Sequence, residues 1–129
     1  MKNDIYNYLK FTLGSESSDY EFDIIPIPPY EFIENNLSLE PYEYFGEIKQ
    51  ILGCKSKQII LYYNADVLMR VAVKFKGNKL QYLKRILETS NIDYSDTLMF
   101  LKMYFSSEFQ ETVLIYQNPA LNLNIRQNK

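Results

Sequence analysis

The stretch from Gln58 to Lys76, QIILYYNADVLMRVAVKFK, decides the fold. Its two ends, Gln58–Tyr63 and Val67–Lys76, are rich in β-branched and aromatic residues, and Asn64, Ala65 and Asp66 stand between them. That pattern predicts two strands joined as a hairpin. In the second strand Met69, Val71, Val73 and Phe75 alternate with Arg70, Ala72, Lys74 and Lys76. One face should therefore be buried and the other wet.

Working outward, Asn78 follows Gly77 and can cap a helix whose Leu80, Leu83, Ile86 and Leu87 face the core, with Gln81 placed as in a capping box. Asn91 to Asp93 read as a connector, and Ser95 or Asp96 can cap a further helix carrying Leu98, Leu101 and Phe105 on one side. Thr112–Tyr116 reads as a strand, Asn118–Pro119 as a turn and Leu121–Ile125 as a final strand. Upstream, Ile5, Tyr8, Leu9 and Leu13 recur at helical spacing, which predicts a helix from about Asp4 to Leu13 that Gly14 ends. Gly14–Asp19 is turn-rich, and Tyr20–Ile27 is expected to be extended. Pro26, Pro28 and Pro29 confine any strand there to an edge near Ile25. Pro41 suits the first position of another helix, with Tyr44, Phe45, Ile48, Ile51 and Leu52 on its apolar face and Gly53 at its end. The expected fold is α+β: a single domain over residues 1–129, with a largely antiparallel sheet of about four strands covered by about four helices. Leu83, Leu101 and Val71 should share its core.

Composition narrows the chemistry. The 129 residues are 47% hydrophobic and 23% charged, as in ordinary globular domains. The longest apolar run, Ile59 to Tyr63, is far short of the roughly 20 residues a bilayer helix needs. Together with an N-terminus, MKNDIYNYLKF, that lacks a long apolar region, this predicts a cytoplasmic protein without a membrane segment. There is no histidine, and one cysteine, Cys54, so imidazole bases, imidazole ligands, thiolate cages and internal disulfides are all excluded. Gly14, Gly46, Gly53 and Gly77 stand too far apart for a phosphate-cradling loop. No catalytic constellation and no cofactor are expected.

Charge is distributed unevenly. Residues 1–50 hold 10 acids and 3 bases, whereas residues 51–129 hold 6 acids and 11 bases. On the helix expected after Pro41, Glu40, Glu43 and Glu47 would form an acidic ridge, with Glu31, Glu34, Tyr30, Tyr42 and, further upstream, Tyr20 around it. Tyrosines beside carboxylates suit a cationic protein partner, although the same residues also suit a solvated helix face and a core. Asp19, Glu21 and Asp23 alternate and would share one face of an extended segment. They could serve the same interface, hold a divalent cation for hydrolysis, or guard a sheet edge. A basic set, Arg70, Lys74 and Lys76 on a strand with Lys79, Lys84 and Arg85 on a helix, makes nucleic acid conceivable but disfavoured in an acidic chain that lacks a nucleic-acid module.

In size and in this acidic, Tyr-rich, His-free character the chain resembles the immunity proteins of bacterial polymorphic toxin and contact-dependent inhibition systems. The resemblance implies a non-enzymatic inhibitor that occludes a basic, nuclease-like toxin domain, and it transfers no residue roles. A phage-type inhibitor of a nucleic-acid enzyme, a carboxylate-metal-dependent hydrolase using Asp19, Glu21 and Asp23, and an oligomeric structural protein pairing through its last strand are the alternatives.

Overall fold

Alternation along the central hairpin builds the sheet that organises the molecule. In a computed structural model, which describes residues 3–90, 92–93 and 99–121, the elements run in the following order. They are β1 (Asn3–Asp4), α1 (Tyr6–Leu9), a 3-10 turn (Ser17–Tyr20), β2 (Ile24–Pro26), β3 (Phe32–Glu34), β4 (Leu37–Tyr44), β5 (Gln50–Ile51), β6 (Cys54–Lys55), β7 (Gln58–Asn64), β8 (Val67–Lys76), α2 (Leu80–Thr89), β9 (Ile92–Asp93), β10 (Phe100–Ser106) and β11 (Glu111–Gln117). Seven strands form one antiparallel sheet in the order β10-β11-β8-β7-β4-β2, with β3 paired to β4, while β1–β9 and β5–β6 are separate two-stranded pairs. Among the described residues no helix is long and apolar enough to cross a membrane.

The inner face of the sheet carries Ile59, Leu61 and Tyr63 from β7, Leu68, Val71, Val73 and Phe75 from β8, and Leu114 and Tyr116 from β11. Ile5, Leu9, Phe11, Ile51, Leu52 and Leu83 cover it. Leu83 and Val71 are fully buried in this core, and Leu101 packs against it half-buried. One irregularity departs from simple alternation: Tyr62 faces Arg70 and Tyr63 faces Leu68, which leaves Met69 unpaired in a β-bulge. The extra residue shifts the phase of β8, so Leu68 and Val71, three positions apart, both point inward. Met69, expected on the inner face, joins Leu39 and Leu121 in a small second core beneath Phe32 and Leu37.

The fold is therefore mostly β, and the expectation of about four helices over a four-stranded sheet is corrected. The helix expected from Pro41 to Leu52 is the strand β4, then a turn, then the β5–β6 hairpin. Proline fits β4 because Pro41 and Ile27 are opposed: the Pro41 carbonyl accepts the Ile27 N–H, and the missing donor faces that outer side without breaking a bond to β7. The helix expected after Ser95 is instead β10, whose Leu101, Met103 and Phe105 alternate inward against β11. The first helix shrinks to the single turn α1, closed by Lys10 in a left-handed conformation. The strand at the sheet edge near Ile25, the hairpin, α2 and β11 match expectation. Asn78 accepts the Leu80 N–H at 3.2 Å at the start of α2. Residues 94–98 and 122–129, where parts of an expected helix and a final strand fell, lie outside the described residues.

Three two-residue turns join strands with both central residues left-handed: Asn35–Asn36, Leu52–Gly53 and Ala65–Asp66. This geometry matches the right-handed twist of the strands but strains a residue with a Cβ. Ala65, at φ 49°, has neither the polar side chain nor the missing Cβ that eases it. Ala65→Asn is expected to stabilise the domain by about 0.5–1 kcal/mol, read from urea unfolding.

Burial pushes the hydroxyls of Tyr6, Tyr20, Tyr42, Tyr62, Tyr63 and Tyr116 above the ordinary tyrosine range. A raised folded value means that the folded chain holds these protons more tightly than the unfolded chain. Their contribution is complete below the unfolded value of about 10 and declines as pH rises past it. Urea midpoints should be level through about pH 9 and fall by about pH 11.

Candidate functional site

Two neighbouring features of the chain meet at one edge of the sheet. The first is charge: from Phe11 to Ile48 there are nine acids and not one lysine or arginine. The second is exposed apolar surface on the same segment. Phe22 is 84% exposed, Ile33 68%, Tyr30 60%, Phe45 57% and Ile25 53%, which is half of the large apolar side chains exposed among the described residues. Single exposed apolar residues are ordinary, but their concentration on one segment makes that segment the candidate site.

The edge strand β2 organises this surface. It pairs with β4 through Ile24–Tyr44, Ile25–Glu43 and Pro26–Tyr42, and the Phe45 N–H to Asp23 carbonyl bond extends the pairing. Hydrogen-bonded pairs therefore fall at Asp23, Ile25 and Ile27, so the main-chain groups of Ile24 and Pro26 face outward. Pro26 has no N–H, which leaves Ile24 as the one outward donor of the strand. Such an edge resists addition of a further strand, and what it offers outward is chiefly side chains.

The structure divides the residues expected at an interface. Asp19, Glu21, Glu31, Glu47 and Tyr30 are exposed, and Asp23 and Glu43 are half-buried at the edge. Glu31 is held by the Ser38 hydroxyl. Tyr20 instead belongs to the core, its ring 5.2 Å from Phe11 and 5.9 Å from Tyr44. Tyr42 packs edge-on against Tyr63 at 5.7 Å. Glu40 and Glu43 point to opposite faces of β4, and Glu47 lies in the following turn, so the acidic helix ridge does not exist. A strand places residues three apart on opposite sides, whereas a helix would have aligned them. Asp19, Glu21 and Asp23 do not share one face either, because Ser17–Tyr20 is helical and Glu21 continues that conformation. Among the described residues no three acidic or cysteine side chains form a group able to hold a metal ion.

Sequence reasoning passed over Phe22, Ile25, Ile33 and Phe45. Phe45 is expected there on the buried face of a helix and Ile25 only at a strand edge, while the signal at Phe22 is local, an aromatic ring between Glu21 and Asp23.

Glu34 has a structural task. It forms an ion pair with Arg70, whose Nε donates to Gln117 Oε1 at 2.8 Å and whose guanidinium lies 5.2 Å from the centre of the Tyr62 ring. Arg70, expected on the wet face, is 4% exposed. The β3–β4 hairpin folds over it, with Phe32 set edge-on to Tyr62 at 6.1 Å. The pair thus fastens β3, in the middle of the acidic segment, to the sheet.

Comparison of the chain with models of known families, with curated proteins and with solved structures finds no match.

Glu34→Gln leaves a buried guanidinium without its counter-charge and should cost about 3 kcal/mol. Glu21→Lys and Glu47→Lys, which alter exposed carboxylates, should each change stability by less than about 0.5 kcal/mol. Urea unfolding of the three variants separates the structural acid from the surface acids.

Proposed function

We propose that this chain is a non-enzymatic binding protein that neutralises a cognate protein, and that it holds a basic domain against the edge around β2. The supporting observation is the coincidence, on residues 11–48, of nine acids, no cation and the exposed side chains Phe22, Ile25, Tyr30, Ile33 and Phe45. Carboxylates alone would serve solubility, and apolar groups alone would serve any sticky surface. Interleaved, they favour a partner that offers cations to the acids and apolar surface to the aromatics. The acids accelerate encounter, and burial of Phe22, Tyr30 and Phe45 then slows dissociation.

This is the arrangement an immunity protein needs in order to occlude the cationic groove of a nuclease-like toxin domain in the cytoplasm. The same surface would serve a phage-type inhibitor, which differs in partner and not in mechanism. Immobilised protein should capture from its native host a protein with a basic domain, and Glu21→Lys with Glu47→Lys should release it. With the purified partner, the charge-reversed variant should associate at least about tenfold more slowly at low salt, and the loss should shrink as salt rises. Phe22→Ala should act mainly on dissociation. Equal capture and equal kinetics with the charge-reversed protein would refute the reading.

A further inference from the structure

Away from the acidic edge, where β6, the end of β8 and the approach to α2 converge, a concavity of about 340 Å³ is lined by Cys54, Lys55, Ser56, Lys57, Lys76 and Lys79. Four of those six side chains are lysines. Among the described residues, only Lys57 of the four has an acidic partner: its Nζ meets Glu111 at 2.9 Å, and that carboxylate is shared with Lys74 at 3.7 Å. Lys79 donates to the Lys76 carbonyl at 2.9 Å, which holds its ammonium at the rim. Its own N–H is fixed by Thr112 Oγ1 at 2.7 Å. Lys55 and Lys76 are exposed and carry no carboxylate partner among the described residues.

The lining carries four formal positive charges, and the one carboxylate among their described ion pairs, Glu111, is shared by Lys57 with Lys74, which lies outside the pocket lining. The arrangement is relieved by an anion that spans several ammoniums at once. A volume of this size admits a small molecule and is modest for a folded segment. Lysine ammoniums on flexible stems suit the many oxygens of a phosphate chain, while the stems and Cys54 provide an apolar floor.

We propose that this pocket binds the polyphosphate group of a small molecule, such as pyrophosphate or the phosphate chain of a nucleotide, between Lys55, Lys76 and Lys79. The site is separate from the acidic edge, so it stands whether or not that edge binds a protein.

Calorimetric titration with pyrophosphate and with ATP should show one saturable site for each. The double variant Lys55→Gln, Lys76→Gln should weaken both by at least about tenfold, with an unchanged urea midpoint because both side chains are exposed. Tighter binding of ATP than of pyrophosphate would assign the nucleotide as the source, and equal binding would assign the phosphate chain alone. Cys54 supplies an independent readout, since it lies in the wall of the pocket. Its alkylation should slow when pyrophosphate is bound, and this protection should vanish in the double variant. No saturable binding, an affinity unaffected by the double substitution, or binding of a single-stranded RNA oligonucleotide that excess pyrophosphate fails to displace would each overturn the proposal.

Discussion

A seven-stranded sheet has two faces, and helices of four and ten residues can cover only one of them. Everything else in this molecule follows from that shortage. The inner face takes α1, the β5–β6 hairpin and α2, and its core holds 17 of the 22 buried apolar side chains among the described residues. Among the described residues the outer face is covered by what the strands themselves carry, with Leu121 added against Leu39 and Met69. The β3–β4 hairpin closes one end over Arg70 and Tyr62. Elsewhere charged stems lie across small apolar residues: Ala72 and Val113 belong to the outer face and are nevertheless buried, with Lys74, Lys102 and Tyr104 around them in the register of β8, β11 and β10. The ammonium of Lys102 sits 4.9 Å from the centre of the Tyr104 ring, so even the cations are drawn onto the sheet.

How much of this could be read in the sequence depended on whether a segment carried its own periodicity. The β7–β8 hairpin, β11 and α2 were legible because their alternation or helical stripe is strong and local. The stretch Leu37–Leu52 was not, since Tyr44, Phe45, Ile48, Ile51 and Leu52 satisfy helical spacing while Leu39, Pro41 and Tyr44 are the residues the strand buries. Pro41 tipped the balance wrongly, because its tolerance depends on which neighbour its missing N–H faces, and only the assembled sheet decides that. In Phe100–Ser106 five of the seven positions are apolar or aromatic, so helix and strand fit equally, and pairing with β11 settles the matter. The acidic character of residues 1–50 was plain, yet its geometry changed with the secondary structure. The acidic ridge dissolved, Tyr20 and Tyr42 went to the core, and an apolar component appeared that composition alone conceals.

Charge is polarised in the folded molecule as it is in the chain. The segment that supplies the edge strand is wholly acidic among its ionisable side chains apart from tyrosine, and the lysines of β6, β8 and the approach to α2 gather elsewhere. A nearly neutral total of −2 therefore conceals two fields of opposite sign. Such a molecule would orient an approaching charged body before contact, within the range of about 8 Å that physiological salt allows.

The hydrogen bond from the Tyr116 hydroxyl to the Phe11 carbonyl ties together groups separated by 105 positions. Phe11 lies under the sheet that β11 helps to form, so its carbonyl waits for a strand made about a hundred residues later. At ribosomal speeds of about 5–20 residues per second, the interval between synthesis of the two residues is roughly 5–20 s. During that time Ile5, Leu9 and Phe11 have no completed sheet to pack against, and the nascent chain must keep them from other apolar surfaces in the cell.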